Sequence, residues 1–383
     1  MTEHEALGLT IQVYKPTFAP YVPTASHIGT FRAASYEHES AVGIGYDRMR
    51  CTAAMSQEDA DWWLDQACGA HVVVRDETNT VVWEGRVNTV GWASGGRSVQ
   101  IGPLSDVANR CVVTYQLLNT DTNEAGEQKR TDAANNTDSQ ARYGIQHQIL
   151  AAGAITTAQA DQRRDVYVLA NGWPLVGQTL QFGGGEGSLS LDCLGYWYWL
   201  NYPYRLANVT GTVTVSAKLA AVLAADPNAF FGGANQITSN ALTVQQLEDQ
   251  DRLASEIIAD VVSLGDASYN RYLFGVWTDR VVKYEAAPTT AEYLQRISDP
   301  RQVVTDLAGN VVHPWAIRPG KWLLLGDVQP GTLIAQNMAG MLQSRRSMFI
   351  ERVHYTSAYG LQMNSGVVNS YRQALAQWGV TGM

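Results

Sequence analysis

Between Leu253 and Tyr293 the apolar residues change their spacing, and that change limits what the chain can fold into. Leu253, Ile257, Ile258, Val261 and Val262 recur every three or four positions, which describes one face of an amphipathic helix ending at Gly265. Gly265-Asp266 then predicts a turn. Tyr272, Phe274 and Val276 alternate as a half-buried strand does, Thr278-Asp279 reverses the chain, and Val281, Val282 and Tyr284 return. An extended segment follows to Tyr293. Helix, turn and hairpin in this order form a packing unit that contains no titratable cluster.

The same alternation dominates elsewhere. Ile11 to Tyr14, Ile28 to Ser35 and Ala41 to Met49 read as strands, and Ser56 opens a short helix through Trp62, Trp63 and Leu64. His71 to Arg75 and Thr80 to Val90 pair across Asp76-Glu77-Thr78-Asn79, Ser98 to Ile101 is a further strand, and Ser105 to Arg110 a turn or short helix. Residues 116–140 are polar, with almost no aliphatic content after Leu118, and read as a long surface loop or a partly disordered excursion. Ile145, Ile149 and Leu150 have helical spacing, and Thr156-Thr157 caps a second helix from Ala158 to Leu169. Residues 176–215 return to β character. Ser98–Cys111 and Ser188–Asn201 share a shape (strand, small turn residue, short amphipathic segment) that a duplicated barrel would produce.

Ser216 to Ala225 is a helix with Ser216 as cap, stopped by Asp226-Pro227-Asn228, and Leu242 to Leu264 reads as a helical pair or one interrupted helix. Pro314 and Pro319 bracket an extended piece, and Pro319-Gly320 turns into a strand from Trp322 to Leu325. Ser347 to Tyr355 alternates strongly and pairs with Tyr359 to Asn364, while Tyr371 to Trp378 reads as a short terminal helix. The expected class is mainly β with inserted helices (α+β). Four segments are expected: 1–115, an N-terminal tube-like β domain; 116–175, polar loop and helical insertion; 176–239, a β segment completing or accompanying the first domain, plus a helix; and 240–383, a second helix-plus-β tube-like domain.

Composition narrows the function. The chain has 383 residues, enough for roughly two to four domains. Apolar residues make up 45% and charged residues only 16%, and with 11 Trp and 18 Tyr this fits either a surface covered by partners or an aromatic-rich β protein with ordinary cores. The net charge of −9 and the lack of a basic run disfavour sequence-independent DNA binding, although an acidic wall suits a conduit. Cys51, Cys68, Cys111 and Cys193 have no metal or framework spacing and read as buried free thiols. No apolar run reaches the roughly 18 residues needed to span a bilayer, and the N-terminus lacks a signal-peptide core.

Tests for chemistry leave no candidate catalytic, cofactor or metal residue. Gly185-Glu186-Gly187-Ser188-Leu189 has the wrong spacing for a nucleophile elbow, and Gly183 to Gly187 lacks the Lys-Ser/Thr of a phosphate loop. Cys68 with His71 offers two metal ligands with no second pair, and His4-Glu5 and His38-Glu39 lack a second His. Asp59, Asp61, Glu186, Asp192 and Asp279 are carboxylate candidates by residue type alone. Tyr196-Trp197-Tyr198-Trp199, continued by Tyr202 and Tyr204, is either core, a subunit interface or a sugar-stacking platform; if extended, it puts Tyr196 and Tyr198 on one face and Trp197 and Trp199 on the other.

Three stretches carry a family resemblance. The Leu253–Tyr293 unit is similar to a segment of the minor tail and baseplate-hub proteins of tailed bacteriophages. Arg142-Tyr143-Gly144, followed by a Thr-capped helix, resembles the Arg-Tyr-Gly segment of tail hub proteins. Arg318-Pro319-Gly320, a strand, then Phe349-Ile350 with Val353 and Tyr355 resembles their closing barrel. Together these cover about two thirds of the chain in the family's order. The resemblance implies a structural, non-enzymatic tail-tip protein of long-tailed phages without cofactors, made in the host cytoplasm and built into the virion. It implies a homotrimer whose tube-like domains form a pseudo-sixfold ring that docks on the tail tube or distal tail protein. It further implies contact with tail fibre or spike proteins and a channel for the tape measure protein and, in transit, DNA. The alternative is a host-surface carbohydrate-binding or hydrolytic tail component.

Overall fold

The computed structural model describes residues 8–15, 27–180, 187–206, 211–231, 234–246, 249–268, 270–296, 303–326 and 347–365. The first part is a sheet wrapped on a helix. β1 (Thr10–Tyr14) lies between β2 (His27–Arg32) and, further along the chain, β5 (His71–Arg75). β3 (Ser35–Ala41) and β4 (Gly45–Ala54) form a hairpin, and α1 (Gln57–Ala67) follows. Ser56 caps α1 by accepting from the Asp59 amide at 3.2 Å. β5 pairs with β6 (Val81–Ser94) through a turn in which Asp76 accepts from the amides of Thr78 and Thr80, both at 2.9 Å. β6 then pairs with β7 (Arg97–Ile101).

The next segment departs from the sequence expectation. Residues 116–140 are not a disordered loop. β8 (Arg110–Asn119) and β9 (Glu124–Arg130) make a hairpin, β10 (Ala134–Asn135) rejoins β8, and α2 (Thr137–Tyr143) follows. Polar side chains on an exposed hairpin hide the strand signal, because no face of β9 is buried. Ile145 to Leu150 is not helical either: β11 (His147–Ile155) lies parallel to β8, from His147 opposite Arg110 to Ile155 opposite Leu117. The local spacing is compatible with a helix, but an available β8 edge takes the backbone into a ladder. α3 (Thr157–Asn171) matches expectation and carries a full capping box from Thr156 to Gln159.

β12 (Val176–Leu180) adds to β7, and β13 (Ser188–Leu194) inserts between β4 and β6. β7 and β13 therefore flank β6, and each is followed by a short 3-10 turn, Leu104–Asp106 and Tyr196–Leu200. The Tyr196–Trp199 run is thus not extended, and the two-faced alternation does not hold. Beyond it come β14 (Pro203–Leu206), β15 (Thr212–Thr214) and α4 (Val215–Ala224). The cap of α4 is Thr214, whose hydroxyl accepts from the Ala217 amide at 3.3 Å, in place of the expected Ser216. β16 (Gln236–Ile237) comes next, and the helical pair expected from Leu242 is half strand: β17 (Thr243–Gln245) and β18 (Asp249–Leu253) precede α5 (Ala254–Ser263). β17 and β18 find partners in β15 and β14, pairings invisible to local periodicity.

The hairpin after α5 is β19 (Tyr272–Val276) and β20 (Val282–Ala286), joined by a turn with Asp279 and Arg280 at φ 60° and 59°. Asp266 accepts from the amides of Ser268 and Asn270, which builds the expected turn after Gly265. The last part runs through β21 (Ala291–Gln295), β22 (Val304–Asp306), β23 (Val311–Val312), β24 (Trp322–Leu325), β25 (Ser347–Thr356) and β26 (Gly360–Ser365). β25 pairs with β24, β26 and β3, so strands from the two ends of the chain share a sheet. Among the described residues the strand path does not close on itself. The helix expected at 371–378 lies outside the described residues.

The largest core extends from Leu9 through Trp83, Tyr196 and Ile258 to Tyr355, with α1, α4 and α5 packed on it. The last sheet shows period two in its packing. Trp322, Leu324 and Phe349 bury one face, whereas Leu323, Ile350 and Val353 bury the other.

Candidate assembly surface

Apolar side chains that the fold leaves in solvent are concentrated between Val166 and Leu180. α3 buries Ala160 against Val113 and Tyr115 of β8. Its Val166 and Leu169 sit three residues apart and face outward, Leu169 with 83% of its surface exposed. Trp173 leaves the helix edge-on to Tyr143 at 6.0 Å, and Leu175 accepts from the Gly102 amide at 3.0 Å, which steers the chain into β12. Every residue of β12 is exposed, with Leu180 at 79%. Alternation puts Val176 and Leu180 on one face. β12 pairs with β7, and no described strand lies on its other edge. An apolar edge strand in water is a template for another chain. The sequence contained a signal for this surface: α3 carries more apolar residues than one buried face needs.

Beside it project the β8–β9 hairpin, whose β9 is exposed over most of its length, and the small-residue stretch Ala151–Ala154 of β11. The arm is held at its root. The Val113 amide donates to Thr131 Oγ1 at 3.0 Å, and Asn109 Nδ2 donates to the Gly144 carbonyl at 2.7 Å.

Behind these surfaces lies a buried polar network absent from the sequence reading. β6 brings Glu84 and Arg86 inward among Trp83 and Val87. Glu84 Oε2 accepts from the Asp279 amide at 2.7 Å, and its Oε1 lies 4.0 Å from His71 Nε2. Burial pushes the Glu84 carboxyl up to about 8, against the opposing pull of the Asp279 amide. Burial, then the charges of Arg280 and Arg86, hold His71 well below the usual imidazole range, and its Nδ1 is 2.5 Å from Tyr196 Oη. Arg86 donates to the Gly69 carbonyl at 3.0 Å and lies 4.9 Å over the Trp199 ring. Burial lowers its guanidinium to about 10. Arg280 stands over Tyr196 at 5.5 Å and Phe230 at 5.6 Å. The network ties β5, β6, the aromatic 3-10 turn and the β19–β20 hairpin together.

A second set of charges crosses the outside of the sheet. Arg48 makes two bonds to Asp192 at 2.7 and 2.5 Å, Arg50 reaches Glu37 at 3.4 Å, and Arg352 reaches Glu39 at 2.9 Å. Opposite charges on neighbouring strands β25, β3, β4 and β13 hold register at a solvated face.

The sequence candidates are scattered by the fold. Asp59 sits at the start of α1 with Asp61 beyond it, Asp192 belongs to the outer ladder, and Asp279 occupies the hairpin turn. His4, Glu5, Gly183 to Gly185 and Glu186 lie outside the described residues. Cys68 approaches the Asn88 carbonyl, whereas His71 turns to Tyr196. His38 is buried against Tyr36 and Tyr355, and desolvation, then the nearby Arg318 charge, lowers it to about 3. All four cysteines are free and buried, and burial raises Cys51 to about 12. Of the aromatic run, Tyr196 and Trp199 belong to the core, while Trp197 and Tyr198 are half-buried. Among the described residues no group of three or more His, Cys, Asp or Glu is placed to hold a metal ion. No described helix is long and apolar enough to cross a membrane.

Two solved structures align along most of the chain. The tail protein from Neisseria meningitidis MC58 is 10% identical over 94% of this chain and 98% of its own, with a TM-score of 0.41. The 43 kDa tail protein of prophage MuSo2 from Shewanella oneidensis is 8% identical over 96% of this chain and 98% of its own, with a TM-score of 0.41. Likeness of this degree fixes neither fold nor function. No family model matches the sequence, and no curated protein matches it.

Proposed function

We propose that this chain is a structural component of a bacteriophage-type tail, placed at the baseplate hub or tail tip of the virion. Three copies form a ring in which 1–115 with about 176–215, and about 240–383, act as the two tube-like units. The ring docks on the tail tube or distal tail protein, carries tail fibre or spike proteins, and frames the path of the tape measure protein and then DNA. The observation that carries the reading is the exposed apolar stretch from Val166 to Leu180 on a helix end and an edge strand. Surface of this kind is satisfied by another subunit, and nothing among the described residues covers it. The order of the Arg-Tyr-Gly, helix–hairpin and Arg-Pro-Gly segments supplies the family.

Native mass spectrometry of the purified protein and imaging of assembled tail tips test the reading. Threefold stoichiometry is expected. The double substitution Leu169→Asp with Leu180→Asp is expected to leave the circular dichroism spectrum unchanged and to abolish the trimer. Six copies per ring, or a monomer in the assembled particle, overturns the proposal.

A further inference from the structure

A cleft of about 490 Å³ opens between the start of β11 and the aromatic 3-10 turn, and none of its lining residues belongs to the Val166–Leu180 surface. That volume falls within the roughly 300–1,000 Å³ of small-molecule pockets. Its walls come from segments far apart in sequence: His147 and Gln148, Tyr198 to Asn201, and Glu256 in the first turn of α5.

Trp199 and His147, both lining residues, each carry a ring nitrogen that is buried without a hydrogen-bond partner, Nε1 and Nε2 respectively. Trp199 as a whole is only 6% exposed, so its indole N–H has lost water and gained nothing in return. An unsatisfied buried donor is costly, and a ligand oxygen that reached it would recover that loss. Burial first, then the charges of Arg110 and Arg130, lowers His147 to about 4, so its imidazole is neutral near pH 7 and one nitrogen donates while the other accepts. The Tyr198 ring is held in place by its hydroxyl, which donates to Asp47 at 2.8 Å. Gln148 and Asn201 at the rim are exposed and supply amide donors and acceptors. Glu256 is exposed as well, and no Lys or Arg is among the described lining residues.

We propose that this cleft is a binding site for a neutral pyranose sugar. A pyranose presents an apolar C–H face that stacks on a fixed aromatic ring such as Tyr198, and an edge of hydroxyls. Those hydroxyls accept from Trp199 Nε1 and donate to the Glu256 carboxylate. The carboxylate, with no cation beside it in the lining, disfavours phosphates and acidic sugars. The Trp197 ring is turned away, edge-on to Phe274 at 5.6 Å, so Tyr198 supplies the stacking face.

The test follows indole N–H signals in nitrogen-15 spectra of the full chain during titration with glucose, N-acetylglucosamine and, as control, inorganic phosphate. The Trp199 signal is assigned by Trp199→Phe. A saturating shift of that signal by either sugar and not by phosphate is expected, with binding weakened about tenfold or more in Glu256→Gln and in Tyr198→Ala. Calorimetric titration of the parent, Glu256→Gln and Gln148→Ala gives the same comparison on exposed residues if Trp199→Phe misfolds. Absence of binding by both sugars, equal binding by the variants, or a response to phosphate alone overturns the proposal.

Discussion

Glu84 and His71 show how one side chain can set the behaviour of a whole core. The Glu84 carboxyl has its folded value raised from 4.5 to about 8, so the native state holds a proton there that the unfolded chain releases. Its contribution to stability is complete below about pH 4.5 and is lost as pH rises through 8. His71 is shifted the other way: its folded value lies well below 6.5, so stability falls as pH drops below that value and the unfolded chain gains a proton. The two limbs predict a stability maximum in between. Above the His71 limb, from 6.5 up to about 8, each pH unit costs up to about 1.4 kcal/mol. Denaturant titrations at pH 6, 7 and 8 are expected to show this decline in the parent and a flatter profile in Glu84→Gln, which keeps the bond from the Asp279 amide. An unchanged slope in the variant removes Glu84 as the cause.

At the scale of elements, α3 rests on the reciprocal bonds of its capping box, Thr156 with Gln159. Thr156→Ala is expected to cost about 1 kcal/mol, and Thr156→Ser much less. Hydrogen exchange should show faster opening of the first turn of α3 in the alanine variant and no change in β4 or β6. The elements read correctly from the sequence are those whose signal is local. Ser56 before α1, Thr156 before α3, the turns at Asp76 and Asp266, and the α5-to-β19 change of period each depend on residues within a few positions. The failures share the opposite property. β11 exists because β8 lies beside it, β17 and β18 because β15 and β14 do, and β9 because a hairpin needs no buried face to form. The candidate site follows the same rule. The many aromatics and the low charge fit a covered surface and an aromatic core equally, and which apolar residues stay outside depended on what α3 and β7 left uncovered. Glu84 and Arg86 were overlooked because their partners arrive from Gly69 and Asp279.

For the whole molecule, the junction between β4 and the β19–β20 hairpin is a place where small changes have large effects. Gly45 has φ +88°, and a Cβ there would stand 2.1 Å from the Val276 carbonyl oxygen. The Val276 amide also donates to the Ile44 carbonyl at 3.0 Å, so the hairpin is seated on β4 by backbone. Gly45→Ala is expected to destabilise the protein by on the order of 2–4 kcal/mol, combining positive-φ strain with displaced backbone. Gly43→Ala, also at positive φ but with nothing within 4 Å of the added carbon, is expected to cost less. Equal midpoints for the two variants in urea would show that the close approach does not matter.

The pairing of β25 with β3 also sets a schedule for synthesis. Arg352 meets Glu39 across 313 residues of chain, and the Ser357 amide reaches the Tyr36 carbonyl over a similar span. At translation rates of about 5–20 residues per second, β3 waits roughly 15–60 s for its neighbour. Through that interval its edge is bare on the ribosome, and contacts this distant are slow to form even once the chain is free. A product cut short before β25 would therefore present an unfinished sheet edge. In a cell crowded with nascent copies of one chain, that interval is when a wrong copy is most easily captured.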